Sequence, residues 1–371
     1  MVPESKKYFN YAKRQIFSRK KLNFLILYVT SRCNFNCRTC FFHASLNRDD
    51  DLSFEEFDKI SKNLGHFSIL LIGGGEPFLR PDLEAICALF VERNKINTLY
   101  IPTNGFLTDR ILIATEALLK KFPGITLAVN PSLDGTKDYH ENTRRVTGSF
   151  EQTVKTIAGL AALKQKYENF QIIVNSVIHR QNPEDLKKLA FYLRQFNIDY
   201  HAFEVLRGDP RDKTLPPAEL AEIKKIHDFI LANRQWYLAH RAGRSGIFNF
   251  LNQAAVIGHL GYTQSLKEKT LAGKKWPMPC AAGRSIAVVY PDGAVGLCEL
   301  APSVGNLKDY EYSLTKVLES QAAKKQLAQI KEKRCDCTHI CFINSSLAAD
   351  PKTIFQIPYF YLKYRRKKHE V

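Results

Sequence analysis

No apolar run in this sequence approaches the ~18 residues that a membrane-spanning helix requires, so no transmembrane helix is expected. The first residues, MVPESKKYFNYAKRQIFSRKK, lack the apolar stretch and small-residue cleavage site of a secretory signal, which points to a cytoplasmic protein. There is no internal repeat beyond a strand–helix unit and no low-complexity segment, which argues against solenoids and disordered linkers. Acidic residues are scarce: 37 Asp and Glu face 54 Lys and Arg, a formal charge of +17. That excess favours anionic partners, but no nucleic-acid-binding motif accompanies it.

What is present is a soluble globular composition, 45% hydrophobic and 25% charged, in 371 residues. That length suits one large domain and a smaller one. The basic residues gather at the two ends, Lys6 to Lys21 and Lys363 to Lys368, interleaved with Tyr8, Phe9, Phe17, Phe355, Tyr359 and Phe360. Such ends read first as solvated terminal helices docked through an apolar side, and second as segments lying on an anionic membrane surface. The nine cysteines, in a compartment that keeps thiols reduced, read as ligands or catalytic groups rather than disulfides. Cys87, inside the apolar stretch Glu84 to Phe90, reads as a core thiol.

From residue 23 to about 206, apolar runs alternate with amphipathic stretches. Strands are expected at Phe24–Thr30, Ser68–Ile72, Asn97–Ile101, Ile125–Asn130, Gln171–Ile178 and His201–Val205. Helices are expected from Ser53, where a capping box with Glu56 precedes Phe57 and Ile60, and over about 81–93, 108–121, 149–165 and 183–196. Six strand–helix units imply an α/β fold with a parallel sheet, either open and doubly wound or a partial barrel. The working edge is then the C-terminal ends of the strands. Polar and glycine-rich punctuation follows four successive strands there: the cysteines, Gly73-Gly74-Gly75-Glu76-Pro77, Thr103-Asn104-Gly105, and Ser132-Leu133-Asp134-Gly135. Residues 211–275 read as a helical connection. A hairpin is expected at Ser285–Tyr290 and Ala294–Leu297 around Pro291-Asp292-Gly293, then a helix over about 314–332.

The cluster Cys33, Cys37 and Cys40 lacks a fourth thiol. Three thiolates at CxxxCxxC spacing can hold three irons of a cubane cluster and leave one iron open. A structural zinc would need a fourth ligand, for which His43 is the local candidate, but it leaves the glycine-rich edge without a role. With Gly74-Gly75-Glu76-Pro77 after the second strand, this motif resembles the radical S-adenosylmethionine (SAM) enzymes over about residues 22–206. The resemblance implies a partial (β/α)6 TIM-type barrel and a catalytic 4Fe-4S cluster on Cys33, Cys37 and Cys40. On the open iron SAM is cleaved to a 5'-deoxyadenosyl radical that abstracts hydrogen from a substrate. It also implies that Gly74, Gly75 and Glu76 receive the methionyl amino group and that Asn104 and Ser132 contact ribose or the methionyl group. His140-Glu141-Asn142-Thr143-Arg144 is similar to the family's HDxxR segment, which makes Arg144 the partner of the SAM carboxylate, with Arg145 as its rival. Thr39 stands where the family often has an aromatic residue, leaving Phe41 to take the adenine contact.

Downstream, Cys280, Gly293 and Cys298 resemble the opening of SPASM and twitch extensions, in which a hairpin brings cysteines to an auxiliary cluster. Five later cysteines are too few to close two four-iron clusters, so one auxiliary 4Fe-4S cluster is implied. Cys280, Cys298 and Cys341 lead as ligands, Cys335 and Cys337 compete for the fourth place, and His339 follows; a zinc site on four of the five is the alternative. The expected organisation is a basic segment 1–22, a barrel 23–210, a connection 211–275, an auxiliary-cluster domain 276–345 and a basic aromatic tail 346–371. The expected activity is that of an oxidoreductase on a peptide, a carbohydrate or alcohol, or a lipid-linked small molecule, fed by flavodoxin or ferredoxin. Glu204 and Arg207, after the sixth strand, are candidate substrate contacts or a surface salt bridge. The competing class is a non-catalytic binding protein stabilised by zinc or a cluster and using its basic surface.

Overall fold

Residues 22–233, 247–332 and 335–365 are described by a computed structural model. Strands β1 (Phe24–Thr30), β2 (Ile69–Gly74), β3 (Thr98–Thr103), β4 (Thr126–Pro131), β5 (Phe170–Ile178) and β6 (Tyr200–Val205) pair in parallel in that spatial order. Between them run α1 (Phe54–Lys62), α2 (Leu83–Asn94), α3 (Thr108–Lys121), α4 (Lys137–Arg144), α5 (Ser149–Lys164) and α6 (Pro183–Tyr192). The sheet ends at β6 without closing, which is the partial TIM-type barrel expected. All seven residues of β1 are buried, because it is flanked on both sides and covered on both faces. By contrast β5 alternates buried and half-buried positions along its length. Leu25, Leu27, Phe57, Phe67 and Phe90 anchor the largest apolar cluster, each such side chain contributing roughly 1.5–3 kcal/mol of transfer free energy. Cys87 lies fully within it, and burial pushes its thiol far up, as suits an inert core residue.

The capping box at the start of α1 is formed. Ser53 N–H donates to Glu56 Oε2 at 2.8 Å, and Glu56 N–H donates to Ser53 Oγ at 3.3 Å. Among the described residues of the connection stand the helices α7 (Leu220–Ala232) and α8 (Ile247–Leu271). The hairpin of β7 (Ile286–Val289) and β8 (Ala294–Gly296) forms around the expected turn, and β9 (Gly305–Asn306) adds to it. Its location is what the sequence did not disclose: β7 pairs in parallel with β1, Phe24 opposite Ile286, so the hairpin extends the barrel sheet.

The single helix expected over 314–332 is two, α9 (Leu314–Leu318) and α10 (Gln321–Glu332). Ser320 interrupts it, its hydroxyl accepting from Ala323 N–H at 3.2 Å, an N-cap in place of a helical turn. Helices α11 (Ile340–Ala349) and α12 (Thr353–Tyr364) complete the chain. Phe360 stacks on Tyr262 of α8 with ring centroids 4.9 Å apart, so the C-terminal helix docks through an apolar side. The basic N-terminal segment lies outside the described residues. Among the described residues no helix is long and apolar enough to cross a membrane.

Candidate active site

The loop carrying Cys33, Cys37 and Cys40 leaves the C-terminal end of β1 and is pinned along its length. Asp51 accepts from Thr30 Oγ1 at 2.7 Å and from Ser31 N–H at 2.9 Å. Asn47 Oδ1 accepts from Cys33 N–H at 2.9 Å. Farther on, Arg38 N–H donates to Thr143 O and Asp212 N–H to Arg38 O, both at 2.9 Å, while Arg211 N–H donates to Cys40 O at 3.0 Å. Burial, reinforced by the neighbouring thiols, pushes Cys33 up to about 12 and also raises Cys40. As free groups these two are protonated at neutral pH, so thiolates form here with a bound metal centre. Among the described residues no three His, Cys, Asp or Glu side chains converge closely enough to share one metal ion. Thiols spread along a fixed loop suit separate irons of one cluster, and this donor set fits a 4Fe-4S centre. His43 Nδ1 lies 3.0 Å from Cys40 O.

The glycines after β2 lie directly against this loop. A Cβ on Gly74, whose φ is +119°, would stand 2.1 Å from Thr30 O, and one on Gly75 would stand 2.1 Å from Arg32 O. Gly75 N–H donates to Thr30 O and Glu76 N–H to Arg32 O, both at 2.8 Å. The absent side chains therefore let the strap bond to the backbone just before Cys33. Glu76 is buried. Its Oε1 accepts from Thr103 Oγ1 at 2.8 Å and its Oε2 from Asn104 N–H at 2.7 Å. Burial outweighs these donors and raises Glu76 to about 7.

Asn104 reaches across to the cysteine loop, Nδ2 donating to Asn34 Oδ1 at 2.7 Å. Ser132 sits half-buried at the end of β4, its N–H donating to Thr103 O at 2.9 Å. Arg144, the last residue of α4, enters the site: Nε lies 2.8 Å from Asp134 Oδ2 and Nη1 lies 3.7 Å from Cys37 Sγ. Arg145 takes a left-handed conformation, φ 55°, and is exposed, so it is Arg144 that meets the cysteines. Burial works against the Arg144 charge, but Asp134 and Cys37 outweigh it and hold it protonated. One face of Phe41 is covered by the Arg207 guanidinium, 5.0 Å from its centroid, and Thr39 is buried.

The five later cysteines gather behind the hairpin. Burial pushes Cys280 up to about 11 and Cys298 to about 12, and raises Cys337 strongly, and the charges of Cys280, Cys298 and Cys335 add to the effect at Cys337. At Cys341, in the first turn of α11, burial is followed by the charges of Glu299, Glu204 and Arg207. All five pack on one apolar cluster, Cys280 buried within it and Cys298, Cys335, Cys337 and Cys341 partly buried against it. His339 is committed elsewhere, pairing with Glu299 and capping Cys341 N–H at 3.3 Å.

Glu204 and Arg207 do not form a surface salt bridge. Their side chains are only 15% and 18% exposed, and they belong to a buried network across the barrel mouth. Arg207 lies 3.7 Å from both Glu204 and Glu299. Glu299 also takes hydrogen bonds from Tyr28 and His339, and Lys267 Nζ donates to Phe203 O at 3.0 Å beside Glu204. Burial opposes ionisation of Glu299, but His339, Arg207 and Tyr28 outweigh it and hold the carboxyl at about 2. The sequence reading missed Glu299; its one local signal is its place directly after Cys298. A cavity of about 280 Å3 is lined by Ser31, Phe41, Phe42, Tyr290 and Glu299 among others.

Comparison with known proteins agrees with this site. The Fe-coproporphyrin III synthase of Methanosarcina barkeri is 29% identical over 200 residues, 52% of this chain and 47% of the relative, so the match spans about half of that protein's length. The AdoMet-dependent heme synthase of the same organism is 25% identical over 299 residues, 76% of this chain and 79% of the relative. The solved structure described as native anSMEcpe with bound AdoMet and Cp18Cys peptide shares the fold, with a TM-score of 0.57, 20% identity, and coverage of 93% of this chain and 96% of that one. The family described as the Radical SAM superfamily matches residues 27–193, from within β1 to just beyond α6. Those residues contain the three-cysteine loop, the glycine strap and Arg144, and over them the chain is similar to the radical SAM superfamily.

Proposed function

We propose that this chain is a radical SAM oxidoreductase with an auxiliary iron–sulfur cluster. The observation that carries the reading is the three-thiol loop at the end of β1, tied to the Gly74-Gly75 strap. When bound, the 4Fe-4S cluster supplies the electron that cleaves SAM, and the 5'-deoxyadenosyl radical so formed takes hydrogen from the substrate. Cys33, Cys37 and Cys40 hold that cluster. Glu76, Asn104, Ser132 and Arg144 frame the space for SAM at the ends of β2, β3, β4 and α4. Cys280, Cys298 and Cys341 are the leading thiols proposed for the auxiliary 4Fe-4S cluster, with Cys335 and Cys337 the candidates for the fourth place. That cluster takes or relays the electron left after hydrogen abstraction.

The substrate is placed in the cavity that Glu299 lines, with Arg207 and His339 holding that carboxylate from behind and Glu204 beside Arg207. A peptide, a carbohydrate or alcohol, or a lipid-linked small molecule fits this polar, aromatic space. The two curated relatives add a class the residues did not suggest, an iron porphyrin. Flavodoxin or ferredoxin is the proposed electron donor in a cytoplasmic setting. Contact with an anionic membrane surface is supported by Phe355, Tyr359 and Leu362, which α12 leaves exposed at helical spacing beside Lys363.

The test is anaerobic. After reconstitution with iron and sulfide, addition of dithionite and SAM is expected to yield 5'-deoxyadenosine, with about eight irons per chain for two four-iron clusters. Retention of zinc with no 5'-deoxyadenosine would overturn the reading.

A further inference from the structure

The contact between Arg144 and Cys37 has a consequence beyond SAM binding. We propose that Arg144 tunes the catalytic cluster, donating an N–H to the Cys37 sulfur and placing a fixed positive charge beside it, so that the cluster is reduced at a higher potential. The inference rests on the proposed function, because it needs a cluster on Cys33, Cys37 and Cys40.

Two backbone features fix the geometry. Arg38 N–H donates to Thr143 O at 2.9 Å, tying the cysteine loop to the end of α4 one residue before Arg144. Asp134 sits 1% exposed beneath the guanidinium, its Oδ1 accepting from Val177 N–H at 3.0 Å and its N–H bonded to His140 Nδ1 at 3.2 Å. With Nε 2.8 Å from Asp134 Oδ2, the guanidinium plane is held so that Nη1 comes 3.7 Å from Cys37 Sγ. The Arg144 side chain is 12% exposed, so solvent screens this charge weakly.

Reduction adds one negative charge to the cluster and its thiolates. A cation at hydrogen-bonding distance from a ligating sulfur stabilises the reduced form more than the oxidised one, and hydrogen bonds to cluster sulfurs act in the same direction. Asp134 is the positioning residue: it pairs with Nε while a different nitrogen, Nη1, meets the sulfur. Arginine suits the task because its planar fork reaches a carboxylate and a sulfur at once.

The experiment compares reconstituted wild-type chain with Arg144→Lys, Arg144→Gln and Arg144→Met by potentiometric titration followed by electron paramagnetic resonance, without SAM. The catalytic cluster is the signal lost in Cys37→Ala. The expected order of midpoint potentials is wild type highest, then Lys, which keeps the charge, then Gln, which keeps only a donor, then Met. Lys and Gln both offer donors to Asp134, so the series stands even where Met takes up no iron. Equal midpoints across the series, with only SAM affinity reduced, would overturn the proposal and leave Arg144 as a carboxylate partner alone. A wild-type chain with no Cys37-dependent signal would instead sink the functional reading itself.

Discussion

Glu76 has a structural role that stands apart from the one proposed for it toward SAM. Its carboxylate bonds to Thr103 and Asn104, knitting the end of β2 to the end of β3, before any amine is considered. The motif made Glu76 legible in the sequence; its hydrogen bonds were not, since Thr103 lies 27 residues away. Burial lifts its ionisation from 4.5 to about 7 in the folded chain. The unfolded carboxyl ionises first as pH rises, so this group's stabilising contribution is complete below pH 4.5 and is lost as pH climbs toward 7. At 1.36 kcal/mol per pKa unit the loss is about 3 kcal/mol. In the metal-free chain, Glu76→Gln is expected to remove this slope between pH 5 and 7 in urea unfolding, though a flipped amide facing Asn104 N–H lowers stability at all pH values. An unchanged slope in the variant would assign the pH dependence elsewhere.

At the scale of elements, the six barrel strands were readable because each is an apolar run bounded by polar residues, and the helices because their apolar positions recur at helical spacing. Helix α4 was not. Its eight residues, KDYHENTR, carry two buried side chains, His140 and Thr143, and no apolar stripe. It is held instead by backbone contacts to the cysteine loop, which no local pattern encodes. The glycine strap was legible as a motif, but what it touches was not. Gly74 and Gly75 pack on the backbone of Thr30 and Arg32, so their lack of a side chain serves loop geometry as well as any ligand. Gly75→Ala forces a Cβ into Arg32 O and is expected to cost about 1–3 kcal/mol as overpacking, and to reduce iron uptake by displacing Cys33. Gly65, with nothing within 4 Å of its built Cβ, is the control: Gly65→Ala should leave iron content and thermal midpoint within error of wild type.

Across the whole molecule, the hairpin that carries Cys298 is part of the barrel sheet, because β7 pairs with β1. Pairing between residues 24 and 286 is invisible to local periodicity, so the sequence suggested a separate unit where the chain has a continuous sheet. The same closeness assembles Tyr28 from β1, Arg207 after β6, Glu299 after β8 and His339 before α11 around one buried carboxylate. Glu299 is therefore the point where barrel and extension are joined electrostatically as well as by strands. Its carboxyl is held at about 2, below the ordinary 4.5, so its stabilisation is complete above pH 4.5 and is lost as pH falls toward 2, opposite in sign to Glu76. Removing one member of a buried charged network while its partner stays buried costs about 3–5 kcal/mol. Glu299→Ala is expected to lower stability by that amount at pH 7 and to leave Arg207 leaning on Glu204 alone. Glu299→Gln keeps volume and one acceptor and should cost less, while flattening the acid limb of the stability profile below pH 4.5. Because β7 is secured by its backbone ladder to β1, the Gln variant should still retain both cluster signals and form 5'-deoxyadenosine from SAM without substrate. Loss of the Cys37-dependent signal in that variant would show instead that Glu299 is needed to seat the catalytic loop.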